Sequence, residues 1–516
     1  LIHDLMQALP DTAAQPADVC IVGAGAAGIV LAIELARQGK HVLMVEGGGP
    51  RIEEESQDPY RSEIIGLPHN GIHIGRFRAK GGSTTRWGGQ ILELDDEDFI
   101  HREWVPGSGW PISKQELAPY YSRAITLEGL AQANLSDEAV WREIHLKSPA
   151  FPDLESFFSR WCPEPDFSYL HRRFLETSPA VDLWLHANVT ALVREGSKIL
   201  GVKARTLSGV EATFRAHQYV FALGGIESCR FFLQPEQADK PWNRSGLLGH
   251  HYQDHIIAPA ATLEPRNPSA FHNIFDNVFS RGFKYQPKLR LSPRIQKQQR
   301  SLNVAAMVIY KSDTEAIAAQ LKMTVRKLLG GKWKQASSSE IFALLRHSPL
   351  LARQIYRYSV KHRAYVAPGC RIELGVHTEQ DPLSKSTITL SENRDSLGML
   401  RTRLDWHVSD NEIDAIRTYV KVAQRSLASV ARVVPHPDLD DYDRFRPLCG
   451  DNYHHMGGMR LSSSPSDGVV DLNLRLHGMD NGYVCSAAVY PNSGFSNPTH
   501  TLLALAVRLA DHLSAI

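Results

Sequence analysis

Cysteine is scarce in this chain, and what there is lies scattered. The six thiols, Cys20, Cys162, Cys229, Cys370, Cys449 and Cys485, form no C-x-x-C pair, which excludes zinc-ribbon and thioredoxin-like chemistry. Six distant thiols in 516 residues predict a reduced chain and a cytoplasmic location. Residues 1–17 hold neither a charged-then-apolar run nor a twin arginine, so no leader is expected within them. No apolar run reaches the roughly 18 residues of a bilayer span. Neither sign of charge prevails: the formal net charge is +1, which gives no electrostatic footprint for nucleic acid. Repeats and low-complexity tracts are absent as well. What remains is globular. Hydrophobic residues at 43% exceed what a disordered chain carries, and the length suits two large or three ordinary domains without staples.

The most informative stretch runs from Asp18 to Glu46. Val19-Cys20-Ile21-Val22 is a short apolar strand, and Gly23-Ala24-Gly25-Ala26-Ala27-Gly28 follows at once. Ile29 to Gln38 is a helix-forming run stopped by Gly39. Val42 to Val45 is a second apolar strand, ending at Glu46. Strand, glycine turn, helix, strand and acid in one βαβ unit predict dinucleotide binding. Gly23 permits the tight turn, Gly25 lets backbone approach a pyrophosphate, and Gly28 lets the helix pack close. The helix N-terminus offers free N–H groups to phosphate. Glu46 stands where a carboxylate accepts hydrogen bonds from ribose hydroxyls.

Further along, Val181–Leu185, Val189–Val193, Ile199–Thr206 and Ala212–Phe214 read as short strands. Tyr219 to Gly225 reads as a buried strand ending in glycines, followed by a helix over Ile226–Leu233. From Ala258 to Tyr310 strand-like runs alternate with polar turns. Residues 313–361 read as largely helical and basic, broken near Gly330-Gly331. Lys322, Arg326, Lys327, Lys332 and Lys334 there read as a solvated face, with a membrane-surface or partner patch as the alternative. A helix is predicted over Asn411–Ala431, before a loop marked by Pro435 and Pro437, and an apolar helix over Thr499–Ser514.

Three segments carry a family resemblance. Gly81-Gly82-Ser83-Thr84-Thr85-Arg86-Trp87-Gly88-Gly89 resembles the glycine-rich flavin loop of glucose–methanol–choline (GMC) oxidoreductases. His454-His455-Met456-Gly457-Gly458-Met459-Arg460 resembles their H-x-M-G-x-x-R-M segment. Val489-Tyr490-Pro491-Asn492-Ser493-Gly494-Phe495-Ser496-Asn497-Pro498-Thr499 resembles their V-F-P-T-S-G-x-x-N-P-T. Gly109-Trp110-Pro111-Ile112 and Leu117-Ala118-Pro119-Tyr120-Tyr121 resemble bacterial members. The likeness runs from Asp18 to the C-terminus and is loose over about 270–440, as a substrate domain implies.

The residues support the same chemistry on their own terms. Oxidising an alcohol needs a base for the hydroxyl proton while hydride leaves the carbon, and a neutral imidazole suits that task. Either His454 or His455 can serve; alignment to H-x-M-G puts the family's catalytic histidine on His454. Asn497 before Pro498 is an ordinary helix start. In the family this position supplies the partner that hydrogen-bonds the substrate oxygen, and the helix N-terminus would steady negative charge on reduced flavin. His500 is a second candidate. The resemblance implies FAD held by Gly23, Gly25, Ala26, Ala27, Gly28, Glu46, Gly82, Ser83, Thr84, Trp87, Gly88, Gly89, Val189, Ala222, Gly224, Ser486, Ala487, Pro498 and Thr499.

The sequence departs from the family at four places. Arg86 replaces the histidine through which some members attach FAD, so non-covalent FAD is expected. Trp87 stands for a common Asn, Ser486 for an Asp, and Leu461 for a Met. His250, His251 and His255 invite a metal reading, but with only Asp254 beside them no metal site is expected.

The expected fold is α/β: a Rossmann-like FAD-binding domain over 15–105, 180–260 and 440–516, with an inserted substrate domain over 106–179 and 261–439. The latter is expected to hold a large antiparallel sheet flanked by helices. The resemblance implies FAD-dependent oxidation of a primary or secondary alcohol, with a sugar or glycoside leading. The alternatives are a hydrophobic natural-product alcohol and a flavin-containing lyase of the same fold. Dioxygen, quinone and protein acceptors use the same half-reaction, so the electron acceptor stays open.

Overall fold

The strand Ala17–Val22 lies near the middle of the sheet that carries the glycine turn. It is buried along almost its whole length, as a parallel strand covered on both faces must be. Val42–Val45 pairs with it on one side and Ala216–Phe221 on the other, both in parallel. Val181–Leu185 and Ile2–Asp4 extend one flank, and Gly482–Val484 closes the other, giving six parallel strands among the described residues. The next strand in the chain lies to one side of Ala17–Val22 and a much later strand to the other. That makes a switch point, where open α/β sheets leave a crevice at the carboxyl ends of their strands. Gly23 and Ala222–Gly225 occupy that edge. The computed structural model describes residues 1–10, 16–237, 239–312, 324, 346, 348–364, 366 and 369–516.

A second sheet is antiparallel. Its order is Ala431–Pro435, Ile256–Pro265, Arg371–Thr378, Val304–Lys311, Phe283–Leu291, Leu154–Trp161 and Gln90–Ile91, with Val278–Ser280 and Gly450–Asp451 attached at the side. The helix Asp410–Ser426 covers one face; Tyr419 donates from its hydroxyl to the carbonyl of Leu289 there. Alternation then turns Lys288 and its cross-strand neighbours Met307 and Phe157 to the other face. Gln90–Ile91, Gly450–Asp451 and the first half of Ile256–Pro265 pair in this sheet, although the sequence places them in the cofactor-binding segments.

Helices differ from their sequence readings at identifiable points. The helix after the glycine turn spans Ala26–Arg37, starting as soon as extended Gly25 ends. The helix predicted to reach Ala431 stops at Ser426. Ala431–Pro435 is a strand, its β-branched Val433 and Val434 fitting the pleat beside Ile256–Pro265. Between Ala258 and Tyr310, Pro268–Phe275 and Pro293–Gln299 are helices capped by Asn267 and Ser292, an Asn/Ser-Pro start that the strand reading passed over. The C-terminal helix, Pro498–Ser514, packs on Ala26–Arg37. The basic cluster from Lys322 to Lys334 lies outside the described residues. No helix among the described residues is long and apolar enough to cross a membrane.

Candidate active site

A cavity of about 710 Å³ runs from the glycine turn to the antiparallel sheet. Its first wall is backbone. Gly23 has φ +108°, and a Cβ there would lie 2.5 Å from the carbonyl oxygen of Ala222. At Gly28 a Cβ would lie 2.0 Å from the Gly23 oxygen, so the helix can sit this close only on glycine. Gly25 faces open space instead, with nothing within 4 Å of its Cβ position, at the N-terminus of Ala26–Arg37. An uncapped helix end beside an open glycine is a cradle for a phosphate group. Glu46 lines the same stretch. Its two oxygens accept the N–H groups of Ala24 at 2.9 Å and Gly48 at 2.8 Å, so the carboxylate also ties the turn together. Burial raises its pKa, opposed by those N–H groups and by Arg78.

Gly82 lies across the turn, where a Cβ would be 3.0 Å from Gly25 Cα. Ser83, Thr84, Arg86, Trp87 and Gly88 continue the lining, as do Val189, Ala222, Gly224, Ala487, Pro498 and Thr499. Three predicted contacts stand behind the wall: Gly28, Gly89, whose Cβ would meet Pro165, and Ser486, which accepts the N–H of Ala488. The long cavity with an anion cradle at one end fits a flavin dinucleotide.

At the other end stands His454. Its Nδ1 lies 2.7 Å from Nδ1 of His255, and its Nε2 lies 3.1 Å from the Asn497 amide nitrogen. The protons can be placed. Ser493 offers a carbonyl oxygen 3.3 Å from His255 Nε2, and a carbonyl can only accept. His255 is neutral, its pKa pushed down to about 4 by burial, with the Lys288 charge adding to it. With its proton on Nε2, His255 must accept at Nδ1. His454 therefore donates from Nδ1, and its Nε2 lone pair faces the Asn497 amide. The Asn452 amide is a weaker neighbour, 3.4 Å from His454 Nδ1. Burial, then His255 and Lys288, hold the His454 pKa well below the usual histidine value. Asn497 begins the helix Pro498–Ser514 but makes no side-chain cap; its side chain goes to His454. The plain helix-start reading thus accounts for its position and not for its side chain.

His455 faces a different group. Its ring lies 5.6 Å from that of His69, and its buried Nε2 has no hydrogen-bond partner. One ligand atom each of His69, Asp254 and His455 comes within 4.8 Å of the others. His69 Nδ1 accepts the N–H of Ile72, however, so its Nε2 carries the proton, toward Tyr252 and Asp254, and is no free metal ligand. The trio His250, His251 and His255 is not brought together: His251 bonds to the Ser384 carbonyl, while His255 joins His454. His500 is paired with Glu128 at 3.0 Å. Burial opposes its charge, but Glu128 prevails and raises its pKa.

A family model described as GMC oxidoreductase matches residues 382–506, and one described as FAD binding domain matches residues 16–66. The chain belongs to the glucose–methanol–choline oxidoreductase family. It resembles 2-methyl-1,2-propanediol dehydrogenase of Mycolicibacterium austroafricanum, with 22% identity over 98% of this chain and 96% of the relative. It also resembles the fructose dehydrogenase large subunit of Gluconobacter japonicus, with 22% identity over 96% and 97%. Among solved structures, pyridoxine 4-oxidase from Mesorbium loti shares the fold: TM-score 0.58, 17% identity, 96% of this chain and 99% of that one. This GMC protein is an FAD-dependent alcohol oxidoreductase.

Four residues of the site escaped the sequence reading. The sequence marks His255 only as a metal candidate. Lys288, Met307 and His377 line the cavity from three strands of the antiparallel sheet. Lys288 gives no local signal, because Lys284, Gln286, Lys288 and Arg290 alternate through the strand as a solvated face would. At the four departures from the family pattern, Arg86 and Trp87 line the cavity, with the Trp87 indole donating to the Pro165 carbonyl. Ser486 and Leu461 are buried in the fold.

Proposed function

We propose that this GMC oxidoreductase oxidises a hydroxyl carbon of a sugar or glycoside, with His454 as base and Asn497 as its partner at the substrate oxygen. One observation carries the reading: the His454 Nε2 lone pair and the Asn497 amide meet on the cavity wall. FAD, when bound, supplies the hydride acceptor. His454 Nε2 takes the hydroxyl proton, and its Nδ1–H, held by His255, stabilises the imidazolium that results. The Asn497 amide donates to the oxygen as negative charge gathers there. Gln90, Asn452 and Tyr453 offer polar groups nearby for further hydroxyls. The relatives named for a diol and for fructose support the same substrate class.

Gly23, Gly25, Ala26 and Ala27 would hold the diphosphate, and Glu46 the ribose, with Val189, Ala222 and Gly224 beside it. Gly82, Ser83, Thr84, Trp87, Gly88, Ala487, Pro498 and Thr499 would serve the flavin end, while Gly28, Gly89 and Ser486 shape the wall from behind. With Arg86 in the loop the FAD is non-covalent: acid precipitation should leave the yellow colour in the supernatant, and colour in the pellet would refute this. The proposed division keeps 106–179 and 261–439 as the substrate domain. A cytoplasmic location is proposed from the cysteine pattern.

The test is an anaerobic screen of sugars, glycosides and hydrophobic alcohols that follows flavin bleaching. Sugars or glycosides should reduce the flavin fastest. Faster reduction by apolar alcohols would overturn the substrate class, and no bleaching by any alcohol would overturn the reaction.

A further inference from the structure

Lys288 sits in the middle of a strand, 3% exposed. Its cross-strand neighbours on the same face are Met307 and Phe157, so packing alone favours an apolar side chain there. It lines the cavity, and among the described residues it makes no hydrogen bond or ion pair. The acids that line the cavity stand on the opposite wall and are engaged: Glu46 by the N–H groups of Ala24 and Gly48, Glu227 by Arg230 at 2.8 Å. Around Lys288 stand His377, His255 and His454, all held neutral, none offering negative charge. A buried ammonium without a counter-charge is costly, and a ligand that brings one removes the cost.

The geometry points to Lys288 as the anchor for a carboxylate on the substrate, and so to an acidic sugar, a uronic acid or its glycoside, as the substrate class. One lysine matches one unit of negative charge, which favours a carboxylate over a phosphate dianion. Burial pushes the Lys288 pKa down to about 7, so an incoming carboxylate draws a proton onto the amine and binds as an ion pair. The sugar part of this inference rests on the function proposed above; the carboxylate part stands on Lys288 alone.

Two titrations separate them. Acetate, added to the FAD-loaded protein, should perturb the flavin absorbance saturably. Affinity should fall roughly ten- to hundredfold in Lys288→Met, the worth of one charge-assisted hydrogen bond, and be kept in Lys288→Arg. Lys288→Gln replaces the methionine variant if that one loses FAD. Anaerobic flavin reduction by D-glucuronate should half-saturate at least tenfold below D-glucose in the wild type, and that preference should vanish in Lys288→Met. Equal acetate affinity in wild type and Lys288→Met would overturn the anchor. Absent preference for glucuronate over glucose in the wild type would do the same. If neither sugar bleaches the flavin, the sugar reading fails and the acetate titration still decides Lys288.

Discussion

One wall of the cavity is made of backbone and the other of side chains. On the parallel-sheet side, Gly23 and Gly28 act by lacking a Cβ, and the contacts they permit lie within a few residues or one strand away, while Gly25 leaves open space at the helix start. On the antiparallel side, Lys288, Met307 and His377 come from three strands, and His255 stands behind them just before the strand Ile256–Pro265. A backbone wall tolerates little variation, because a Cβ at Gly28 has nowhere to go. A side-chain wall can change one residue at a time and keep its sheet.

The sharpest way to break this comparison is at the point where the walls meet. His454→Ala should slow flavin reduction by roughly 100- to 10,000-fold, the usual worth of a positioned base, while FAD stays bound. Asn497→Ala should cost about tenfold, one hydrogen bond to the substrate oxygen. His455→Ala should be milder than either, since its ring faces His69 rather than Asn497. Single-turnover reduction reads all three without the electron acceptor. If His455→Ala were the more damaging histidine variant, the base would be His455.

The backbone wall has its own test. Glu46 both lines the cavity and holds the Ala24 and Gly48 N–H groups, so Glu46→Ala should weaken FAD retention by roughly tenfold or more, one charge-assisted hydrogen bond. Glu46→Gln keeps an acceptor for one N–H and should lose less. Equilibrium dialysis of FAD decides it; unchanged affinity in both variants would remove Glu46 from the cofactor site.

The unequal legibility of the two walls follows from their physics. The glycine turn showed in the sequence because tight turns and close helix packing admit one residue type at fixed spacing. The His454 and Asn497 segments show because each is a contiguous motif, and the structure adds the geometry: His454 faces Asn497 and His255, while His455 faces His69. His255 was visible as a histidine, yet its task depends on Ser493 and His454, which only the fold brings to it. Lys288 and His377 lie in strands where a two-residue alternation tells which face a residue takes and nothing about what that face meets. Asn497 shows the same limit from the other side: the helix start was legible, the direction of its side chain was not.

The smallest expected effect is on pH, and its sign follows from the two walls together. Burial and neighbouring positive charge hold the His454 pKa well below 6.5, so the base stays neutral through the neutral range. At saturating substrate, His454 should therefore add no acid limb between pH 8 and 6, where a histidine of ordinary pKa would already have lost most of its neutral form. The fall should begin only at lower pH, as His255, with its pKa near 4, takes a proton and ceases to accept from His454. Lys288→Met removes a positive charge and should move this acid limb upward, toward ordinary histidine. The same groups act on stability. The folded His255 binds its proton near pH 4 and the unfolded one near 6.5, so between those values the unfolded chain holds more protons and acidification favours it. Thermal unfolding should thus occur at lower temperature as the pH falls from 6.5 to 4. An acid limb centred at 6.5 in the wild type, unmoved in Lys288→Met, would mean that the sheet's lysine does not reach the base.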